Sequence, residues 1–165
     1  MATVNINVAV SPKGKSISDG VAFAFTPGVS TPVGVVSSDG KIDLSKQYPS
    51  GTSVTLAFQL TTPTLTFSGG PNVGTFPLSF FGAQNGAKDT FWIAPAGQNP
   101  GIYNGTQFTF PPNALGPGYG SLTVVDSNND GNPYQYALWV FTATAGSSGQ
   151  RFEDDPRLIN HPNNK

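Results

Sequence analysis

Polar and apolar residues alternate along most of this chain. Val4, Ile6, Val8 and Val10 interleave with Thr3, Asn5, Asn7 and Ala9, the period of a strand with one buried face. The alternation is cleanest over 53–60, where Val54, Leu56, Phe58 and Leu60 point one way and Thr55, Ala57 and Gln59 the other. Further strands are expected over 20–25, 89–94, 106–110, 121–126 and 134–144, with a hairpin in 31–44 turning at Asp39-Gly40. Segments 64–70 and 74–81 add two more, and Pro77, which has no backbone donor, confines the second to a sheet edge or a bulge. No stretch of about 12 residues carries a helical period.

Glycine and proline, 20 and 15 of them, punctuate these segments instead of clustering. Eight to ten short strands so separated predict an all-β fold, an antiparallel, immunoglobulin-like β-sandwich. Proline-rich connections such as the one over 110–120 favour long crossovers over a closed barrel. Residues 1–150 read as one domain, and the glycine- and serine-rich 144–150 as a link to a C-terminal arm over 151–165. The arm holds six of the 17 charged side chains and the only histidine. Pro156 and Pro162 exclude a helix through it. Phe152, Leu158 and Ile159 are apolar anchors that favour an arm lying across the sandwich over a disordered tail.

Composition narrows the function. Charged residues make up 10% of the 165, where about 25% is usual. A net charge of −1 supplies no basic patch to neutralise phosphates, so nucleic acid is not an expected partner. There is no cysteine for a disulfide or a thiolate metal site. The N-terminus shows neither a basic nor an apolar leader region, and no run approaches the ~20 apolar residues of a membrane helix. The chain as written is expected to be cytoplasmic and not membrane-inserted; removal of a leader would make it secreted or surface-bound.

Candidate chemistry is sparse. His161, near the C-terminus, is the one available imidazole base and sits where nothing would hold it to catalytic precision. Asp19, Asp39, Asp43, Asp89, Asp126 and Asp130 lie mostly at turns, with no glutamate beside them to complete a glycosidase pair. The glycine-rich 68–74 lacks the lysine and helix of a phosphate loop. No catalytic residues are expected and the chain is read as not an enzyme.

Two features remain. Asp126, Asn128, Asp130 and Gly131 follow the opening of a calcium loop, in which alternate oxygens and a glycine bend surround the ion, with Asn132 offering a carbonyl. The twelfth position is Ala137 instead of a bidentate glutamate, so an ion would need ligands from elsewhere, such as Asp89 or the acidic 153–155. The competing reading is a turn that exploits Asn, Asp and Gly for positive φ. The second feature is aromatic: Trp92, Tyr103, Tyr119 and Trp139 are candidates for stacking on a sugar. In 134–141, Tyr134, Tyr136, Leu138 and Val140 share one face while Gln135, Ala137, Trp139 and Phe141 share the other. Both faces are apolar, so the strand is either covered twice or presents an interface.

The run Asp155, Pro156, Arg157, Leu158, Ile159, Asn160, followed by Pro162, resembles the C-terminal signature of the bacterial DP-EP proteins. It is also distantly similar to the end of the AidA/PixA inclusion-body proteins. The resemblance implies a bacterial β-sandwich with an ordered C-terminal arm and no assigned catalytic residues. Low charge and many sheet edges add an expectation of self-assembly into a homo-oligomer. The arm, through Phe152, Asp155, Pro156, Leu158 and Ile159, would then reach a neighbour by strand addition. The alternative is a calcium-assisted, lectin-like module with a glycan as its partner.

Overall fold

The computed structural model describes residues 1–70, 73–82, 85–142, 149–154 and 156–160. Within them the chain forms β1 (Ala2–Pro12), β2 (Val21–Pro27), β3 (Ile42–Asp43), β4 (Val54–Leu60), β5 (Thr64–Phe67) and β6 (Gly74–Phe80). These are followed by β7 (Phe91–Pro95), β8 (Phe108–Thr109), β9 (Ser121–Asp126), β10 (Pro133–Thr142), β11 (Gln150–Asp154) and β12 (Arg157–Ile159). One helical turn, α1 (Ala87–Thr90), precedes β7. The fold is a sandwich of two sheets. The first runs β2-β1-β4-β9-β8, and the second β3-β12-β10-β6-β5, with β11 and β7 also paired to β10.

The period-two segments bury the residues that their alternation selects. Val4, Ile6, Val8 and Val10 of β1, Val54, Leu56 and Phe58 of β4, and Leu122 and Val124 of β9 are all essentially inaccessible. They meet Tyr136, Leu138 and Val140 of β10, Phe80 and Phe91, and Leu158 of β12 in one core. At its centre Phe91 stacks on Tyr136 with centroids 4.9 Å apart, and Phe58 packs against both at 5.6 and 6.0 Å. Burying each such ring contributes roughly 1.5–3 kcal/mol.

Several elements differ from the pattern-based expectation. The sheets are mixed: β1 runs parallel to β4, and β12 parallel to β3, where antiparallel pairing is expected throughout. Alternation specifies which face is buried and is silent on which strand lies alongside. The 31–44 hairpin turns at Asp39-Gly40 but is short: Ser37 accepts from the Gly40 amide, the Ser37 and Asp43 amides donate to Lys41 and Val35, and Val36 bridges Ile42, whose other edge pairs with β12. Over 89–94 the first residues belong to α1. The Asp89 carboxylate accepts hydrogen bonds from the Asn85 backbone and side-chain amides at 2.8 and 3.0 Å, which fixes the turn before the strand begins. β6 is not an edge strand, yet Pro77 keeps to the rule: 74–77 pair only with β5, and β10 takes over from Leu78.

The C-terminal arm docks on its own domain. β11 and β12 both pair antiparallel with β10, Pro156 accepts a hydrogen bond from the Tyr136 amide at 3.0 Å, and Phe152, Pro156, Leu158 and Asn160 are buried. β11 and β12 thus complete the second sheet and are integral to the domain. Gly40 receives this arm: its φ is +82°, and a Cβ there would lie 2.8 Å from both Phe25 and Pro156. Asp155, His161, Pro162 and most of the 144–150 link lie outside the described residues.

Candidate functional site

β10 is the strand on which the second sheet meets, and its outward face sets the half-buried Gln135, Trp139 and Phe141 around a buried Ala137. The register sets Ala137 opposite Trp92 on β7, Trp139 opposite Glu153 on β11, and Phe141 opposite Arg151. Trp92 and Trp139, 47 positions apart in the chain, thereby become neighbours, with ring centroids 5.1 Å apart and planes 53° apart. The Arg151 guanidinium braces this cluster, 5.5 Å from the centroid of Trp139 and 5.0 Å from that of Phe81. Trp92, Asn99, Pro100, Ala137, Trp139 and Glu153 line a shallow cleft of about 360 Å³. Both indole Nε1 groups are shielded and have no hydrogen-bond partner among the described residues.

The other two aromatic candidates are elsewhere. Tyr103 is a prop: its hydroxyl accepts a hydrogen bond from the Gln107 amide at 3.0 Å, and its ring packs edge-on against Phe108 at 5.3 Å. Tyr119 is exposed at φ +53° and borders a separate cleft with Phe110 and Leu115.

The loop over 126–132 divides its four candidate ligands. Asp126 is fully buried, and its Oδ1 accepts hydrogen bonds from the Gln107 side chain at 2.6 Å and the Asn128 amide at 2.8 Å. Asn128, buried at φ +47°, donates through Nδ2 to the Pro49 carbonyl at 3.2 Å, while its own carbonyl accepts from the Gly51 amide. It fastens two loops together, the work expected of a turn. Asp130 accepts from the Asn132 amide at 3.1 Å and from the Tyr134 hydroxyl, and Asn132 itself is exposed. Asp89 is engaged with Asn85, as above. The contributor from the arm is Asn160, whose Nδ2 lies 3.4 Å from Asp130 Oδ1. Gln107 and Asn99, the latter at the tryptophan cleft, carry no motif signal of their own, and Asn160 is marked only by the C-terminal signature and not as a partner of this loop.

Burial pushes the Asp126 carboxyl up to about 6, against the lowering effect of its hydrogen bonds from Asn128 and Gln107 and of the Asn160 side chain, with the Asp130 charge raising it further. Burial likewise raises the Tyr134 phenol, and its hydrogen bond to Asp130 adds to the shift. Among the described residues no group of three or more His, Cys, Asp or Glu is placed to hold a metal ion, and no helix is long and apolar enough to cross a membrane. At about 3.3 Å per residue, the run from Pro133 to Trp139 spans roughly 20 Å. An ion at the loop and a sugar on the tryptophans would therefore not touch.

No protein-family model matches this chain, and no curated protein is similar to it at a significant level.

Proposed function

We propose that this chain is a non-enzymatic binding module that takes a carbohydrate onto the outer face of its second sheet. The Trp92–Trp139 pair carries the reading. A pyranose packs its C–H face on an aromatic ring and needs hydrogen-bonding groups at the rim. Here the indoles are held at 5.1 Å by strand register, with the Asn99 amide and the Glu153 carboxylate at the edge of the same cleft. Glu153 is the only carboxylate among the residues lining that cleft, whereas glycoside hydrolysis uses two, so the arrangement suits binding without cleavage. A glycan array followed by tryptophan-fluorescence titration tests this. Binding that Trp92→Ala and Trp139→Ala each abolish is expected; an array with no hits overturns it.

Self-association is the second reading, favoured by an aromatic outer face on a chain with few charges. It would use that face and not the arm, because β11 and β12 are already spent on their own sheet. A dimer in light scattering that Trp139→Ala disperses would favour it over the carbohydrate.

A further inference from the structure

The 126–132 loop and the end of the arm meet in a cluster of oxygens that the chain leaves unfinished. Asp126 is fully buried; its Oδ1 has two donors and its Oδ2 has none at hydrogen-bond geometry, although the Asn160 side chain lies close enough to lower the Asp126 pKa. Asn160 is 1% exposed; its Nδ2 faces Asp130, and its Oδ1 has no donor. Two buried acceptors without donors are costly to desolvate, and both belong to side chains that border Asp130. Asp130 adds a second carboxylate close enough to repel the charge on Asp126. Among the described residues neither carboxylate has a Lys or Arg partner in an ion pair. The neighbouring titratable groups are Tyr134 and Tyr103, which bring no positive charge.

We propose that Asp126, Asp130 and Asn160 form a divalent-cation site, suited to calcium, that fastens the end of the C-terminal arm to the 126–132 loop. A cation supplies what both orphan oxygens lack and offsets the repulsion between the carboxylates. The donors are hard oxygens with no sulfur or imidazole among them, which selects against transition metals. Calcium accepts irregular sets of carboxylate, amide and water oxygens, whereas magnesium demands near-ideal octahedral geometry. Asn160 thus replaces the bidentate glutamate that a helical calcium loop would carry where this chain has Ala137. The site is independent of the carbohydrate reading, since it lies at the opposite end of β10 from Trp139.

Thermal unfolding of the full chain in about 1 mM calcium chloride against EDTA, with calorimetric titration of calcium, tests the assignment. Saturable binding of one ion per chain is expected, with a rise in melting temperature of roughly 5 °C when calcium is well above Kd. Asp130→Asn should abolish that response while leaving the melting temperature in EDTA equal or higher, because it relieves repulsion. Asn160→Asp should do the reverse, binding calcium more tightly and melting lower in EDTA. A purely structural cluster would show neither split. Identical melting of the natural chain in calcium and EDTA overturns the proposal, including the case in which acid alone raises it and the cluster is a proton site. A calcium response that survives in Asp130→Asn overturns it as well.

Discussion

The two faces of β10 use the same kinds of residue to different ends. Inward, Tyr134, Tyr136, Leu138 and Val140 are buried; outward, Trp139 and Phe141 are half-covered around Ala137. Both faces are rich in aromatic surface, and the distinction lies in the polar tips. Each inward hydroxyl has a partner: Tyr136 donates to the Gly40 carbonyl at 2.7 Å, and Tyr134 to Asp130. The outward indoles at Trp92 and Trp139 have none. A core must satisfy every polar atom it encloses, because no water can do so later. The two indole N–H groups, shielded and without a partner among the described residues, break that rule on the outer face. Satisfaction of the polar tips, more than hydrophobicity, separates packing from recognition on this strand.

That contrast can be broken most directly at its centre. Tyr136→Ala removes a ring stacked on Phe91 and leaves the Gly40 carbonyl without its donor, and should cost about 3–5 kcal/mol in chemical denaturation. The polar end of the core can be probed by pH at Asp126, the last residue of β9, with EDTA present. Asp126 titrates near 6 in the folded chain against 3.8 for an ordinary aspartate. Between those values the folded state keeps a proton that the unfolded state has lost, so stability is highest below pH ~4 and falls as pH rises through ~6. The loss should approach about 3 kcal/mol, and Asp126→Asn should flatten the curve. The smallest effect belongs outside: Trp139→Ala should lower stability by about 1 kcal/mol or less. If it matched Tyr136→Ala, the outer face would be structural and the contrast would fail.

What could be read beforehand was local. Alternation over 53–60 and 121–126 specifies the strand, its buried face and its length to within a residue, because each depends only on neighbours in sequence. The parallel pairing of Ala2 with Val54 was not legible, since no pattern within either segment encodes the other. Likewise Asp126 and Asp130 stand out as a loop motif, while Asn160 gives no sign of belonging to it; β12 carries it there by pairing with the start of β10. Trp92 and Trp139 could be proposed as aromatic residues but not as a pair, because their contact is created by strand register. The packing of Tyr103 was hidden for a similar reason: Gln107 donates to its hydroxyl and Phe108 of β8 meets its ring edge-on.

The parallel seam between β1 and β4 also bears on how the chain reaches this state. β1 can form a ribbon with β2 early, since their connection is short, but its other edge must wait for a strand that begins at Val54. β4 in turn is completed only by β9, which starts at Ser121. Each join closes a longer loop than the last before any contact rewards it, and such non-local pairing is what makes β-rich domains slow to fold. The barrier for this domain therefore sits where β4 is captured between its two neighbours. Until then the chain carries an unpaired, hydrophobic central strand, and chaperones or aggregation would compete for it at that stage.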